Sequence, residues 1–148
     1  MVTPCRKALF VAANFQLKRK PGRKAHSKGE KTMERYNGWA NYETWNVKLW
    51  LDNEANEYWR EQAKERFQDS EAEEPFTRSE NARRALASEL EDAISESAQE
   101  LLKAGNAESS MFADILVAAL REVNCDEIAD AFLEDVEDDE GAKYESTK

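Results

Sequence analysis

Apolar side chains recur every three or four residues along most of the chain beyond residue 40, which is the spacing of helices that each turn one face toward a core. A first helix is predicted over residues 42–53, with Asn41 as its N-terminal cap. Its apolar side chains do not form one stripe, because Trp45 and Leu49 fall on one side and Trp50 on another. We therefore expect this helix to be central and covered on more than one face.

The next two helices are predicted from a regular apolar repeat and a capping pattern. Residues 55–68 carry apolar side chains at a strict spacing of four, as in an amphipathic helix. Thr77 and Glu80 have the spacing of a capping box, in which side chains and backbone N–H groups at a helix start bond to each other. The third helix that follows is expected to stop at Gly105, a residue suited to a left-handed turn.

Two shorter helices complete the pattern. The fourth should begin at Ser109 or Ser110, and the fifth should begin at Asn124, where Asn124 and Glu127 repeat the capping pattern. The fifth helix is expected to bury its own apolar side, which includes Ile128. The fourth helix is expected to bury six side chains: Phe112, Ile115, Leu116, Ala119, Leu120 and Val123.

These elements predict an all-α protein, a compact irregular bundle of about five helices. Residues 33–137 would form a single helical domain, since 148 residues are too few for two comfortable domains. Residues 1–32 are predicted to be a disordered basic leader or the product of an upstream start. Residues 138–148 are predicted to be an acidic, disordered tail.

The net charge of −10 conceals two segments of opposite sign. Residues 1–32 hold nine Lys or Arg residues against one Glu, a net charge of +8. The remainder then holds 12 basic and 30 acidic residues, a net charge of −18. A body this acidic would repel DNA or RNA, so direct nucleic-acid binding is not expected of it.

The basic leader is open to four interpretations: a nucleic-acid-binding arm, an organellar transit sequence, a disordered tail, or a stretch translated from upstream of the true start. Basic residues, and no small-residue cleavage site, follow its short apolar run, which argues against export. We expect the natural chain to begin at Met33, because the charge reverses there and because residues 28–32 can be encoded with a ribosome-binding sequence. A cytoplasmic protein of a prokaryotic cell is predicted.

Residue types that support catalysis or metal binding are scarce. His26 is the only histidine, and Cys5 and Cys125 are far apart, so we predict no triad, no metal site and no disulfide. No glycine-rich phosphate-binding pattern and no run of about 20 apolar residues occurs, so neither a nucleotide cofactor nor a membrane span is expected. We predict no catalytic residues and no cofactor, and a carboxylate-based hydrolase is kept only as a third possibility.

Aromatic residues are concentrated in one stretch of the chain. All four tryptophans fall within residues 39–59, and three tyrosines, Tyr36, Tyr42 and Tyr58, lie within this stretch or just before it. Most of these rings are expected to form the core, but one or two exposed rings could anchor a partner, since Trp and Tyr dominate binding hot spots. The predicted partner-binding residues are Trp39, Tyr42, Glu43, Trp50, Asp52 and Glu54.

Residues 37–54 (NGWANYETWNVKLWLDNE) and residues 123–129 (VNCDEIA) resemble a family of small uncharacterised proteins from phages, bacteria and archaea. The family pattern is an N-G-W-x-N-Y-E-T-W opening and a V-N-W-x-E-I-A close. Cys125 departs from this pattern, because the close usually has an aromatic residue there. The resemblance implies a mobile-element or prokaryotic setting and carries no activity.

Two functions follow as hypotheses. In the first, a non-enzymatic acidic protein of a phage or mobile element binds and modulates a host protein, such as a nuclease or defence factor, with carboxylates standing where DNA would present phosphates. In the second, exposed rings stack on single-stranded bases while the basic leader holds phosphate. A gel-shift measurement on the body alone separates the two.

Overall fold

The computed structural model describes residues 35–138 and 141–146, so the basic leader lies outside the described residues. These residues form five helices: α1 (Tyr42–Glu54), α2 (Asn56–Asp69), α3 (Arg78–Ala104), α4 (Met111–Arg121) and α5 (Cys125–Leu133). The predicted all-α bundle of about five helices is confirmed. None of the described helices has the length and apolar character needed to cross a membrane.

Four of the five helices begin at a side chain that accepts a hydrogen bond from the first turn. Asn41, Ser110 and Asn124 cap α1, α4 and α5 in this way. At the start of α3, Thr77 and Glu80 form the complete capping box that the sequence predicts. α3 ends at Ala104 with Gly105 as its C-cap, as predicted, but Gly105 has φ −88° and it is Asn106 that takes the left-handed conformation, with φ 50°. Asn tolerates that conformation through its short polar side chain.

The core lies between α2, α3 and α5. Trp59 and Phe67 of α2 are buried against Leu86 and Leu90 of α3, and Ile128 is among the α5 residues that close the cluster. The predicted apolar sides of α2 and α5 are therefore confirmed. The expectation that α1 is central is wrong: α3 packs against both α2 and α5, whereas α1 lies to one side of them.

Helix α4 differs most from the prediction. It packs chiefly against α3, and of its own residues only Ala113 is buried. Phe112 and Ile115 are exposed, although the sequence pattern predicts them to be buried. The physical reason is that both the inner and the outer sides of α4 are apolar, so its sequence does not reveal which of them meets the rest of the domain.

The described part of the C-terminal segment packs on the domain, which corrects the expectation of a disordered tail there. Tyr144 is buried, its ring lies 6.0 Å from that of Phe67, and its hydroxyl donates a hydrogen bond to Asp130. At the other end of the segment, Asp138 accepts a 2.6 Å hydrogen bond from Arg78. A single aromatic side chain thus anchors a segment that is otherwise polar.

Candidate functional site

The opening segment (residues 37–45) and the closing segment (residues 123–129) meet in the folded domain. Asn41 caps α1 and also donates a side-chain hydrogen bond to the carbonyl of Glu122. Thr44, fully buried, accepts a 2.9 Å hydrogen bond from the backbone N–H of Asn124. The backbone N–H of Ala40 donates a 2.8 Å bond to the carboxylate of Glu127. These residues therefore form a structural joint between α1 and α5.

A tight turn precedes α1 at the start of the opening segment. The backbone groups of Tyr36 and Trp39 exchange hydrogen bonds of 2.7 and 2.9 Å. The two residues between them, Asn37 and Gly38, have φ values of 51° and 93°. Positive φ at both central positions is the geometry for which Asn-Gly is preferred. The turn brings Trp39 back against the core.

A cleft of about 730 Å³ opens beside this joint. Five of its charged side chains pair with one another: Glu127 pairs with Arg35, while Asp126 and Asp130 lie 3.6 and 3.8 Å from Arg83. Asp130 also accepts a hydrogen bond from the hydroxyl of Tyr144. These carboxylates therefore hold elements of the fold together.

The thiol of Cys125 lies near the same joint. Burial, and then the charges of Glu91 and Asp126, raises its pKa from 9.0 to about 11. A thiol with a raised pKa remains protonated near neutral pH and is a poor nucleophile. Throughout residues 35–138 and 141–146, no three His, Cys, Asp or Glu side chains are grouped so that they could hold a metal ion.

A second depression, the apolar groove, lies between α1, α3 and α4. It encloses about 260 Å³. None of its lining side chains is charged, and they are Asn46, Val47, Trp50, Leu51, Ile94, Ser97, Ala98, Leu101, Leu116 and Leu120. Small-molecule pockets usually enclose about 300 to 1,000 Å³, so this groove is better suited to a few apolar side chains of a protein partner.

Acidic residues flank the α1 wall of the groove. Glu43, Trp50 and Glu54 are spaced seven and four residues apart, which places them along one side of the helix. Leu101, on the α3 wall, is 63% exposed at the open edge. The groove therefore combines an exposed apolar surface with negative charge at its border.

The predicted partner-binding residues do not form one site. Trp50 lines the apolar groove, with Glu43 and Glu54 on the same side of α1, whereas Trp39 lines the cleft beside α5. Asp52 forms an ion pair with Lys48, one turn earlier in α1. Tyr42 is exposed elsewhere on α1.

The ring of Tyr42 is engaged with other aromatic side chains. It meets Tyr36 edge-on at 5.1 Å, and its centroid lies 5.6 Å from that of Trp45. Trp45, expected in the core, is only partly buried, and Trp59 is the tryptophan that the core encloses. The rings of Tyr36, Tyr42 and Trp45 therefore pack mainly on each other.

Sequence reasoning missed the largest exposed apolar side chains of the α3–α4 region: Leu101, Met111, Phe112 and Ile115. It assigned Phe112 and Ile115 to the core. The available signal was the composition of α4, in which nine of eleven residues are apolar. A helix that is apolar on two opposite sides needs cover on both, and a single neighbouring helix provides it on only one.

Comparison with known proteins places the chain in a family. No curated protein and no solved structure matches it. Residues 32–144 match the model of DUF7249, a family of unknown function. Because the matched residues make up well over half of the chain and contain all five helices together with Tyr144, the chain belongs to this family of unknown function.

Proposed function

We propose that this protein is a non-enzymatic interaction protein whose apolar groove binds a basic, apolar segment of a host protein. The observation that carries the proposal is the position of Trp50 in an uncharged groove, with Glu43 and Glu54 along the same side of α1. Tryptophan in a depression bordered by charge is a frequent anchor of protein interfaces.

The charge of the body supports a basic partner. At a net charge of −18 over residues 33–148, the body attracts positively charged surfaces and repels nucleic acids. An amphipathic helix with apolar side chains on one face and Lys or Arg beside them would match both features of the groove. The phage or mobile-element origin, the cytoplasmic location and a role against a host nuclease or other defence factor belong to this proposal.

Mimicry of nucleic acid by acidic side chains is a more specific version of the same hypothesis. In that form the carboxylates would occupy the phosphate positions of a basic host groove. The ion pairs in the cleft beside α5 already engage several carboxylates within the fold, so the groove and its acidic border carry the proposal better than the total charge does. The stacking of nucleic-acid bases on Tyr42 has weaker support, because that ring packs on Tyr36 and Trp45.

The test is affinity capture from host lysate, with and without nuclease treatment, with four forms of the protein. Wild type is compared with Trp50→Ala and Leu101→Glu, which alter the groove, and with Leu49→Glu as a matched control. Leu49 is a 41% exposed apolar residue of the same helix that does not line the groove. We expect a protein retained by wild type and by the Leu49 variant, lost with both groove variants, and released by salt.

Two results would overturn the proposal. One is retention that is equal for all four forms, which would place binding outside the groove. The other is retention that disappears when the lysate is treated with nuclease, which would favour the nucleic-acid hypothesis.

A further inference from the structure

The outward side of α4 is an apolar surface that no described residue covers. Met111, Phe112 and Ile115 are 65%, 68% and 57% exposed. Each is a large side chain, and the three fall within two turns of one helix. Ala113, on the opposite side of α4, is buried against the domain.

The outward residues follow the spacing of a helix-pairing seam. Met111, Ile115 and Ala118 are four and three residues apart, so they form a single line along the helix. Phe112 and Ala119 border this line on one side, and Asp114 and Arg121 border it on the other. This set of residues is called the α4 seam below.

We propose that the α4 seam binds the α4 seam of a second copy of this chain, with the two helices antiparallel. The surface is self-complementary in that orientation. With Ile115 of each chain opposite Ala118 of the other, Asp114 faces Arg121 of the second copy, and Phe112 faces Ala119. A two-fold axis repeats each contact, as in the isologous interfaces of symmetric dimers.

Charge selects the antiparallel arrangement. Asp114 and Arg121 are the only charged residues within α4, they have opposite signs, and they border the same side of the seam. In an antiparallel pair the same borders of the two helices meet, so two Asp–Arg pairs form. In a parallel pair, Asp114 and Arg121 of one chain would instead lie opposite Phe112 and Ala119 of the other. Neither Asp114 nor Arg121 has an ion-pair partner within residues 35–138 and 141–146.

Side-chain volume is also matched across the pair. Two of the three large residues, Ile115 and Phe112, each meet an alanine of the other chain, which allows the helix axes to approach closely. The seam spans 11 residues, or roughly 16 Å at 1.5 Å per residue. Interfaces this small form weak, reversible complexes, so we expect a dimer that dissociates on dilution.

The experiment is sedimentation velocity on the full chain over concentrations from about 1 μM to about 1 mM, the range of weak association. Wild type should shift from monomer to dimer within this range. Asp114→Arg and Arg121→Asp should each remain monomeric, with affinity at least about tenfold weaker, because each places like charges opposite one another. An equal mixture of the two variants should associate, since one chain then carries only positive charges along the seam and the other only negative charges.

The mixing result separates a paired interface from damaged folding, because two misfolded variants would not restore each other's association. Ile115→Glu should abolish the dimer, while Val117→Glu, at an exposed position away from the seam, should leave it unchanged. A wild type that stays monomeric throughout, or single variants that dimerise like wild type, would overturn the proposal. A mixture that fails to associate would do the same.

The dimer proposal and the partner-binding proposal can be tested independently of each other. Trp50→Ala alters the apolar groove and leaves the α4 seam intact, so it should dimerise like wild type. A variant that loses partner capture but dimerises normally tests the groove proposal alone. A variant that loses dimerisation but captures the partner normally tests the seam proposal alone.

Discussion

The side-chain oxygen of Thr44 accepts a 2.9 Å hydrogen bond from the backbone N–H of Asn124, 80 residues later in the chain. The same hydroxyl donates to the side chain of Asn41, 2.7 Å away, which in turn caps α1. One fully buried side chain therefore joins the start of α1 to the start of α5. The opening and closing segments are thus explained by the fold they stabilise.

Replacing Thr44 by Val should destabilise the domain by about 1 to 3 kcal/mol, because the N–H of Asn124 would lose its acceptor in a part-buried hydrogen bond. The shape of the side chain is preserved, so packing changes little. Denaturant unfolding measures the effect. Thr44→Ser keeps the hydroxyl and should recover most of the loss; equal unfolding free energies for Thr44→Val and wild type would show that the bond contributes nothing.

Among the tryptophans, Trp59 should contribute most to stability. It is 2% exposed in the core, whereas Trp45 is partly exposed beside Tyr36 and Tyr42. Trp59→Ala should cost about 3 to 5 kcal/mol, the usual range for a large buried ring, and Trp45→Ala should cost clearly less. Thermal melting of the two variants side by side tests this order. A Trp45 variant that melts at a lower temperature than the Trp59 variant would contradict it.

The parts of the fold that were predictable from sequence depend on local chemistry. The Thr77–Glu80 capping box and the Asn124 cap involve residues three positions apart, and the repeat of Trp59, Ala63 and Phe67 has one apolar side only. Each pattern is therefore compatible with a single local structure.

The predictions that were wrong concern contacts between residues that are far apart in the sequence. The periodicity of α4 identifies a helix, but both its inner and outer sides are apolar, so Phe112 could not be assigned to one of them. The docking of Tyr144 depends on Phe67 and Asp130, neither of which is near it in sequence. The candidate groove was missed for the same reason, because α1, α3 and α4 each supply only one wall.

The anchoring role of Tyr144 leads to a graded prediction. Tyr144→Ala should cost about 3 kcal/mol or more, because a buried ring is lost, while Tyr144→Phe should cost only about 1 kcal/mol for the hydrogen bond to Asp130. Denaturant unfolding gives both values. Proteolysis should also cut the C-terminal segment faster in the Ala variant. If both variants are as stable as wild type, the segment does not anchor to the domain.

Ionisation of Cys125 should make stability fall at alkaline pH. Burial raises its pKa in the folded protein from 9.0 to about 11, so as pH rises the unfolded chain loses the thiol proton before the folded chain does. The stabilising contribution is complete below pH 9 and is lost as pH rises toward about 11. Unfolding measured across this window should depend less on pH in Cys125→Ala. Parallel curves for the variant and wild type would exclude the contribution.

Photo-crosslinking in host cells tests whether the apolar groove binds a host protein. A photoreactive amino acid is placed at position 101, on the α3 wall of the groove, or at position 49, an exposed apolar site of α1 outside it. We expect a crosslink to a host protein from position 101 that is absent from position 49 and lost when Trp50→Ala is added. Crosslinks from position 49 alone, or crosslinks from position 101 that persist with Trp50→Ala, would contradict it.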